Sequence, residues 1–244
     1  MKNVLIMDDE KSIRDLLVIN FKRAGYTVHE ADCGRAALKV FEENPDIILA
    51  ILDIMLPDID GFQVCRRLRE KNRNMGIIML SAKDLDEDML SGYGSGADDY
   101  VKKPFSPAIL IAKADALCRR VESIAPAAPQ QSASVSKTSS LQVYEGSPFS
   151  RDVRSNNFYK NGKPLDLTPT EVNILKFFLE HPDTPLTREE ILQGVWGDDF
   201  YGDPDIVNVN IRRLRVKIEE SAKSPKFIKT EWNYGYRWNN GDGE

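Results

Sequence analysis

Cysteine, histidine and long apolar runs are all scarce in this chain, and each scarcity removes a class of protein. Its 244 residues contain three cysteines, Cys33, Cys65 and Cys118, and two histidines, with no CxxC spacing and no histidine cluster. Disulfide scaffolds and zinc fingers are thereby excluded, and reduced thiols point to a cytoplasmic protein. Asp8 and Asp9 stand where a signal peptide needs apolar residues, and no stretch approaches the roughly 18 apolar residues of a membrane span. A soluble protein with no membrane partner is expected. A basic excess is missing too: the net charge is −5. That value counts against nucleic acid only if charge is spread evenly, which a total cannot tell. What remains is ordinary globular composition, 41% hydrophobic and 29% charged, in a length that suits one large domain or two average ones.

Composition shifts abruptly over residues 121–140, VESIAPAAPQQSASVSKTSS, where Pro, Ala, Ser and Gln replace apolar periodicity. This segment reads as a flexible linker with a root-mean-square span of about 25 Å, between domains at 1–120 and 141–240. Residues 1–120 carry 18 basic and 20 acidic groups, and residues 141–244 carry 14 and 17, so neither half is basic overall. Before the linker, short apolar runs at 4–7, 27–30, 47–52, 77–80 and 100–101 alternate with helical patterns near 11–23, 34–43, 61–71, 86–95 and 106–118. Five strands alternating with helices predict an α/β, doubly wound five-stranded parallel sheet, with chemistry at the carboxyl ends of its strands.

The strand ends carry that chemistry. Asp8 and Asp9 end the first run, Asp53 the third and Ser81 the fourth, while Lys103 follows the fifth. A single aspartate at such a place is commonly a cap or turn residue. Five such residues in order, on one sheet edge, are not explained that way. Three converging carboxylates repel unless a hard cation joins them, and Mg2+ prefers such oxygens. A carboxylate beside Mg2+ can attack a phosphoryl group while a hydroxyl and an ammonium stabilise it, roles that suit Asp53, Ser81 and Lys103.

LDIMLPDIDGF, IIMLSAKD and GADDYVKKPF resemble the receiver domain of two-component response regulators, over essentially all of residues 1–120. The resemblance implies a flavodoxin-like fold with Asp53 as phosphoacceptor. It implies Mg2+ on Asp9, Asp53 and the Met55 carbonyl, with Asp8 acting through water. Lys103 then contacts the phosphoryl group, and Ser81 and Tyr100 form a switch pair: a dianion on Asp53 draws the Ser81 hydroxyl inward and vacates space for the Tyr100 ring. Met55 and Lys83 stand where faster members of the family carry polar or acidic groups, so a long-lived phosphoryl group is expected.

The resemblance also implies a dimer face crossed by ion pairs. Here two usual partners are Met89 and Ile109, and another pair falls on Gly94 and Asp115. Asp98 or Asp99 with Lys113 is what remains to bridge two copies, so the face is expected to rest on apolar contact and to respond little to salt. Gly92 and Gly94 weaken the helix expected over 86–95.

In the second half, Asn161-Gly162 between Phe158-Tyr159-Lys160 and Leu165-Asp166-Leu167 predicts a hairpin. Thr168-Pro169-Thr170-Glu171 and Thr187-Arg188-Glu189-Glu190 are helix-start boxes, predicting two helices separated by a short turn. A third helix from near Pro204 to Ile218 puts Val207, Ile211, Leu214 and Ile218 on a buried stripe and Val209, Arg212, Arg213 and Val216 opposite. Arginines beside an exposed methyl suit a major groove, with Arg215 and Lys217 flanking. Lys226 to Trp238 reads as two strands around Asn233-Tyr234-Gly235.

LTPTEVNILKFFLEH, REEILQGVWG, VNVNIRRLRVKIE and YGYRW resemble the winged helix-turn-helix effector domain of the OmpR/PhoB family. The resemblance implies DNA contacts from Arg212, Arg213 and Arg215 with Asn208 and Asn210 nearby, a minor-groove wing carrying Trp232 and Tyr236, and a loop over 196–205 that touches RNA polymerase. Asp205 and Trp232 stand where many members have arginine, and Asn210 where many have histidine. The whole chain is thus expected to be a bacterial transcription factor, not an enzyme: a sensor histidine kinase phosphorylates Asp53, a homodimer forms, and promoter DNA is bound. Two rivals are an aspartyl-phosphate phosphatase, which lacks a general acid at Met55, and a regulator with an inert receiver, which the complete acidic set disfavours.

Overall fold

The structure, a computed structural model, describes residues 2–82, 96–124, 141–197 and 204–240. The chain divides into two compact units, with the junction between Val121 and Glu122.

In the first unit β1 (Lys2–Met7), β2 (Tyr26–Ala31), β3 (Ile47–Asp53), β4 (Gly76–Ser81) and β5 (Asp99–Lys102) form one sheet in the order β2-β1-β3-β4-β5. Every pairing is parallel. The inner strands are continuous apolar runs because helices cover both faces, leaving no side for polar residues. All six residues of β4 and six of the seven in β3 are buried. Helices α1 (Lys11–Arg23), α2 (Gly34–Glu43), α3 (Gly61–Lys71) and α4 (Pro107–Ile124) supply that cover. Leu17 and Phe21 of α1 and Leu110, Ala114 and Leu117 of α4 close over Ile51, Ile78 and Leu80 in one core. Burying side chains of this size contributes about 1.5–3 kcal/mol each. The strands and the first three helices lie where the apolar pattern puts them. Helix α4 continues to Ile124, past the composition shift at 121, because Arg120 and Val121 are still buried against the unit. The expected helix over 86–95, with Gly92 and Gly94, lies outside the described residues, as do residues 125–140 of the linker.

The second unit opens with an antiparallel sheet of β6 (Leu141–Val143), β7 (Phe149–Asp152), β8 (Phe158–Lys160) and β9 (Lys163–Pro164). Asn161 and Gly162 turn between β8 and β9 with φ of 50° and 76°, the left-handed pair a two-residue hairpin requires. The return strand is Lys163–Pro164, earlier than 165–167, because a two-residue turn pairs Lys160 directly with Lys163. Helices α5 (Pro169–Glu180) and α6 (Arg188–Trp196) both start on complete capping boxes, at Thr168 with Glu171 and Thr187 with Glu190. Between them lies more than a turn: β10 (Pro185–Thr187) joins β12 (Gly235–Trp238), itself paired with β11 (Ile228–Glu231). Helix α7 (Asp205–Ile218) packs against α5 and α6. Three helices and a terminal antiparallel hairpin make a winged helix-turn-helix. Among the described residues no helix is long and apolar enough to cross a membrane.

Candidate functional site

Register in the parallel sheet brings the predicted residues together. Met7 pairs with Leu52, Asp53 with Leu80 and Ser81 with Lys102. The chain therefore leaves β1, β3, β4 and β5 at one edge, with Asp8, Asp53, Ser81 and Lys103 side by side. One oxygen from each of Asp8, Asp9 and Asp53 lies within 4.8 Å of the other two. Asp8 and Asp53 are 0% and 5% exposed, and Asp9 is open to solvent. Lys103 Nζ reaches Asp8 Oδ2 at 2.8 Å and Asp53 Oδ1 at 3.1 Å.

The electrostatics follow from burial and from these neighbours. Burial pushes the Asp53 carboxyl up; Lys103 opposes that rise and Asp8 adds to it. For Lys103, burial alone would lower the ammonium, but its hydrogen bond to Asp8 and the charge of Asp53 outweigh this and hold it above its ordinary value. One ammonium thus faces three carboxylates, leaving a surplus of negative charge and hard oxygen donors that fits a divalent cation such as Mg2+. Ser81 is fully buried, and the Tyr100 ring is buried one strand over, where Met79 pairs with Tyr100. Met55 presents an exposed side chain. Lys83 lies outside the described residues.

Several supports had no sequence signal of their own. Arg14, on the first turn of α1, donates to the Asp8 carbonyl at 2.7 Å, and the Glu10 amide donates to Asp8 Oδ1 at 3.0 Å. Gly61 starts α3 so close to the site that a Cβ there would lie 2.0 Å from the Asp53 carbonyl oxygen. The glycine of LPDIDGF is therefore a steric requirement for seating α3 behind Asp53.

The residues expected at the dimer face are placed differently. Asp98, Asp99 and Lys113 are buried. Lys113 Nζ bonds Asp99 Oδ2 of its own chain at 2.9 Å, and Asp98 Oδ2 accepts from Arg69 Nη2 at 2.7 Å and the Ile77 amide at 3.0 Å. Within the chain these buried carboxylates point into the fold and find their partners there. Ile109 is exposed, and Met89 lies outside the described residues.

Helix α7 also departs from its single-stripe reading. Val207, Ile211, Leu214 and Ile218 are fully buried as expected, but Val209, Asn210 and Arg213 are also buried, at 6%, 2% and 6% exposure. The helix packs against two neighbours, so its buried arc is wider than one stripe. Exposed Val209 beside arginines is thus corrected: the exposed residues of the helix are Asp205, Arg212, Val216 and Lys217, with Asn208 and Arg215 half-buried at their borders. Arg215 donates to the Ile228 carbonyl and, at 2.8 Å, to Thr230 Oγ1, tying α7 to β11. Lys217 bonds Glu171 at 2.6 Å. Asn208 accepts from Arg188 Nε and from the Tyr236 hydroxyl, both at 2.9 Å, and donates to Asp205. Arg188 and Arg215 lie 5.7 and 5.4 Å from the Tyr236 ring centre. Arg188 escaped notice because it reads as part of a capping box. Trp232 stands 90% exposed at the tip between β11 and β12.

Comparison with known proteins agrees with this division. The response regulator receiver domain family matches residues 4–115, and the family described as transcriptional regulatory protein, C terminal, matches 162–238. The alkaline phosphatase synthesis transcriptional regulatory protein PhoP of Bacillus subtilis (strain 168) is 40% identical over 237 residues, covering 97% of this chain and 96% of that protein. The chain belongs to the OmpR/PhoB family of response regulators. A solved structure of a RitR mutant shares the fold of this response regulator at 23% identity and a TM-score of 0.69, with 98% of this chain and 99% of that one covered. The OmpR/PhoB homologue DrrB of Thermotoga maritima aligns at 28% identity over 98% of this chain and 99% of its own, with a TM-score of 0.49. A receiver and a DNA-binding domain in one chain make a phosphorylation-dependent transcriptional regulator.

Proposed function

We propose that Asp53 is the phosphoacceptor, that a sensor histidine kinase is the donor, and that the product is a cytoplasmic homodimer gripping promoter DNA. The observation that carries this reading is the meeting of three carboxylates with the Lys103 ammonium at one edge of a parallel sheet. An oxygen of Asp53 bonds to phosphorus as the bond from phosphorus to the donor breaks. Asp8, Asp9 and Asp53, with the Met55 carbonyl, would hold Mg2+, which supplies charge neutralisation for the incoming phosphoryl oxygens. Lys103 is positioned to turn from Asp53 toward the new phosphoryl oxygens, and the Ser81 hydroxyl donates to them. Tyr100, on the neighbouring strand, then responds to the moved Ser81. Because Met55 offers no acid or polar group to aim a water, the acyl phosphate is long-lived, and the chain acts as an acceptor and not as a phosphatase.

In the second unit, Arg212 and Val216 face the major groove, Arg188, Arg215 and Tyr236 border it, and the β11–β12 hairpin lies along the minor groove. Residues 196–205, mostly outside the described residues, are the proposed contact for RNA polymerase. Apolar contact through Met89 and Ile109 joins receivers. Mass spectrometry after incubation with acetyl phosphate and Mg2+ tests the core of the reading. One phosphoryl adduct is expected on Asp53, absent in Asp53→Asn and in EDTA, and persisting well beyond seconds. An adduct elsewhere, or none, overturns it.

A further inference from the structure

An acidic side chain on a surface proposed to face DNA needs a reason, because every phosphate it passes repels it. Asp205 is such a side chain. It opens α7 and is exposed, and at 100° per residue it falls within about 40° of Arg212 and Val216. The three share one outward stripe of the helix, with the carboxylate on its N-terminal turn.

That carboxylate belongs to an ordered set of bonds. Asp205 Oδ1 accepts from Asn208 Nδ2 at 2.9 Å, and Asn208 Oδ1 accepts from Arg188 Nε and from the Tyr236 hydroxyl, both at 2.9 Å. An amide oxygen has two lone pairs, and both are used here. The amide is therefore fixed with its N–H groups toward Asp205, since turning it over would forfeit two hydrogen bonds. Arg188 and Tyr236 come from α6 and β12, so two neighbouring elements hold the partner of this carboxylate in place. A charge that served only the positive end of the helix would need no such orientation.

We propose that Asp205 is a specificity-determining residue that accepts a hydrogen bond from an exocyclic amino group, adenine N6 or cytosine N4, in the major groove. This rests on the reading of α7 as the groove-facing helix and adds the class of base selected at one position. The argument is by elimination. A carboxylate only accepts, and among the base edges of the major groove those two amines are the only donors. Phosphate oxygens are acceptors as well, so the backbone is no partner for it. Opposite guanine O6 and N7 or thymine O4, acceptor would face acceptor with water excluded from both, which costs affinity. The Asn208 amide sets a donor beside the carboxylate, a pair that matches N6 and N7 of adenine; cytosine would use the carboxylate alone.

The test reads base preference. Duplexes recovered from a randomised pool by the full chain after acetyl phosphate treatment give the half-site of the wild type and of Asp205→Ala. The wild type is expected to require adenine or cytosine at one position of each half-site, with guanine or thymine there costing about tenfold in affinity. Asp205→Ala is expected to lose that requirement at that position alone, and to bind the guanine or thymine duplex more tightly than the wild type does. Removing the amine from the DNA asks the same question with the protein untouched. Purine in place of adenine, or a pyrimidinone lacking the amine in place of cytosine, is expected to weaken the wild type about tenfold and to leave the alanine variant unchanged. Whichever replacement acts names the base. If the preference survives in Asp205→Ala, or if that variant weakens on every duplex equally, the inference falls and the DNA reading stands. If the wild type recovers no duplex, both fall.

Discussion

At the edge of the parallel sheet four charged side chains converge on one point, whereas along α7 the charged side chains are spread over 14 residues and several are already engaged within the chain. The first arrangement is prebuilt chemistry. Its carboxylates are held close in a buried place and wait for a cation and a phosphoryl group. The second is a surface whose meaning depends on which way each residue points, and burial along α7 redistributes the roles of neighbouring arginines. Crowded charge makes the receiver pocket fragile to single changes, while the DNA-facing surface divides its work among many contacts.

The largest effect expected from that contrast is at Lys103. Lys103→Met leaves Asp8, Asp9 and Asp53 facing one another without an internal cation, and breaking a buried pair of this kind costs about 3 kcal/mol. Urea unfolding is expected to show that loss in EDTA and to show most of it restored by millimolar Mg2+. Phosphoryl transfer from acetyl phosphate falls sharply in both conditions. Equal destabilisation with and without Mg2+ would mean that the carboxylates do not share a cation, and the contrast with α7 would lose its basis.

Next come two adjacent arginines with opposite expected outcomes. Arg213 is buried and Arg212 exposed. Arg213→Ala removes packing and is expected to lower stability by on the order of 2 kcal/mol. Arg212→Ala is expected to leave thermal unfolding unchanged and to weaken DNA binding by about 1–3 kcal/mol. Unfolding scans and anisotropy titrations on both variants separate these. A reversed pattern would return α7 to the single-stripe assignment.

That pair also marks how far the sequence was legible. Strand ends were readable because a strand's polar terminus after an apolar run is fixed by the run itself; Asp53 after IILAIL and Ser81 after IIML could hardly lie elsewhere. Fold class followed from the same runs. Helix α7 was harder, because its residues are apolar or charged on nearly every side and 100° per residue says only which residues share a face. How wide an arc is covered depends on α5 and α6, which a local pattern does not contain. Asp99 and Lys113 show a related limit of local pattern: opposite charges on neighbouring elements look the same in sequence whether they bridge two copies or, as within this chain, bond to each other. Gly61 and Arg14 act through close backbone approach and through carbonyl oxygens, for which the sequence has no letter.

The smallest expected effect belongs to Asp58, in the loop after β3, and it checks the scaffold around the pocket. Its carboxylate accepts from the amides of Gly34 and Arg35 at 2.9 and 3.0 Å, at the N-terminus of α2. Bonds from Arg35, Ile59 and Gly34 favour the charged form and hold the carboxyl down from the ordinary 3.8 to about 2. A group depressed in the fold contributes stability that is complete above its unfolded value and is lost as pH falls through its folded one. The gap in stability between the wild type and Asp58→Asn is therefore expected to be constant above about pH 5, to narrow through the window between 3.8 and about 2, and to close below it. The gap is modest, since the group faces solvent. Carbon-detected titration of the carboxyl gives the midpoint directly. A midpoint at the ordinary value would mean that the loop carrying Asp58 does not rest on α2 in solution, and that the acceptor pocket is held by Lys103 and Gly61 without that brace.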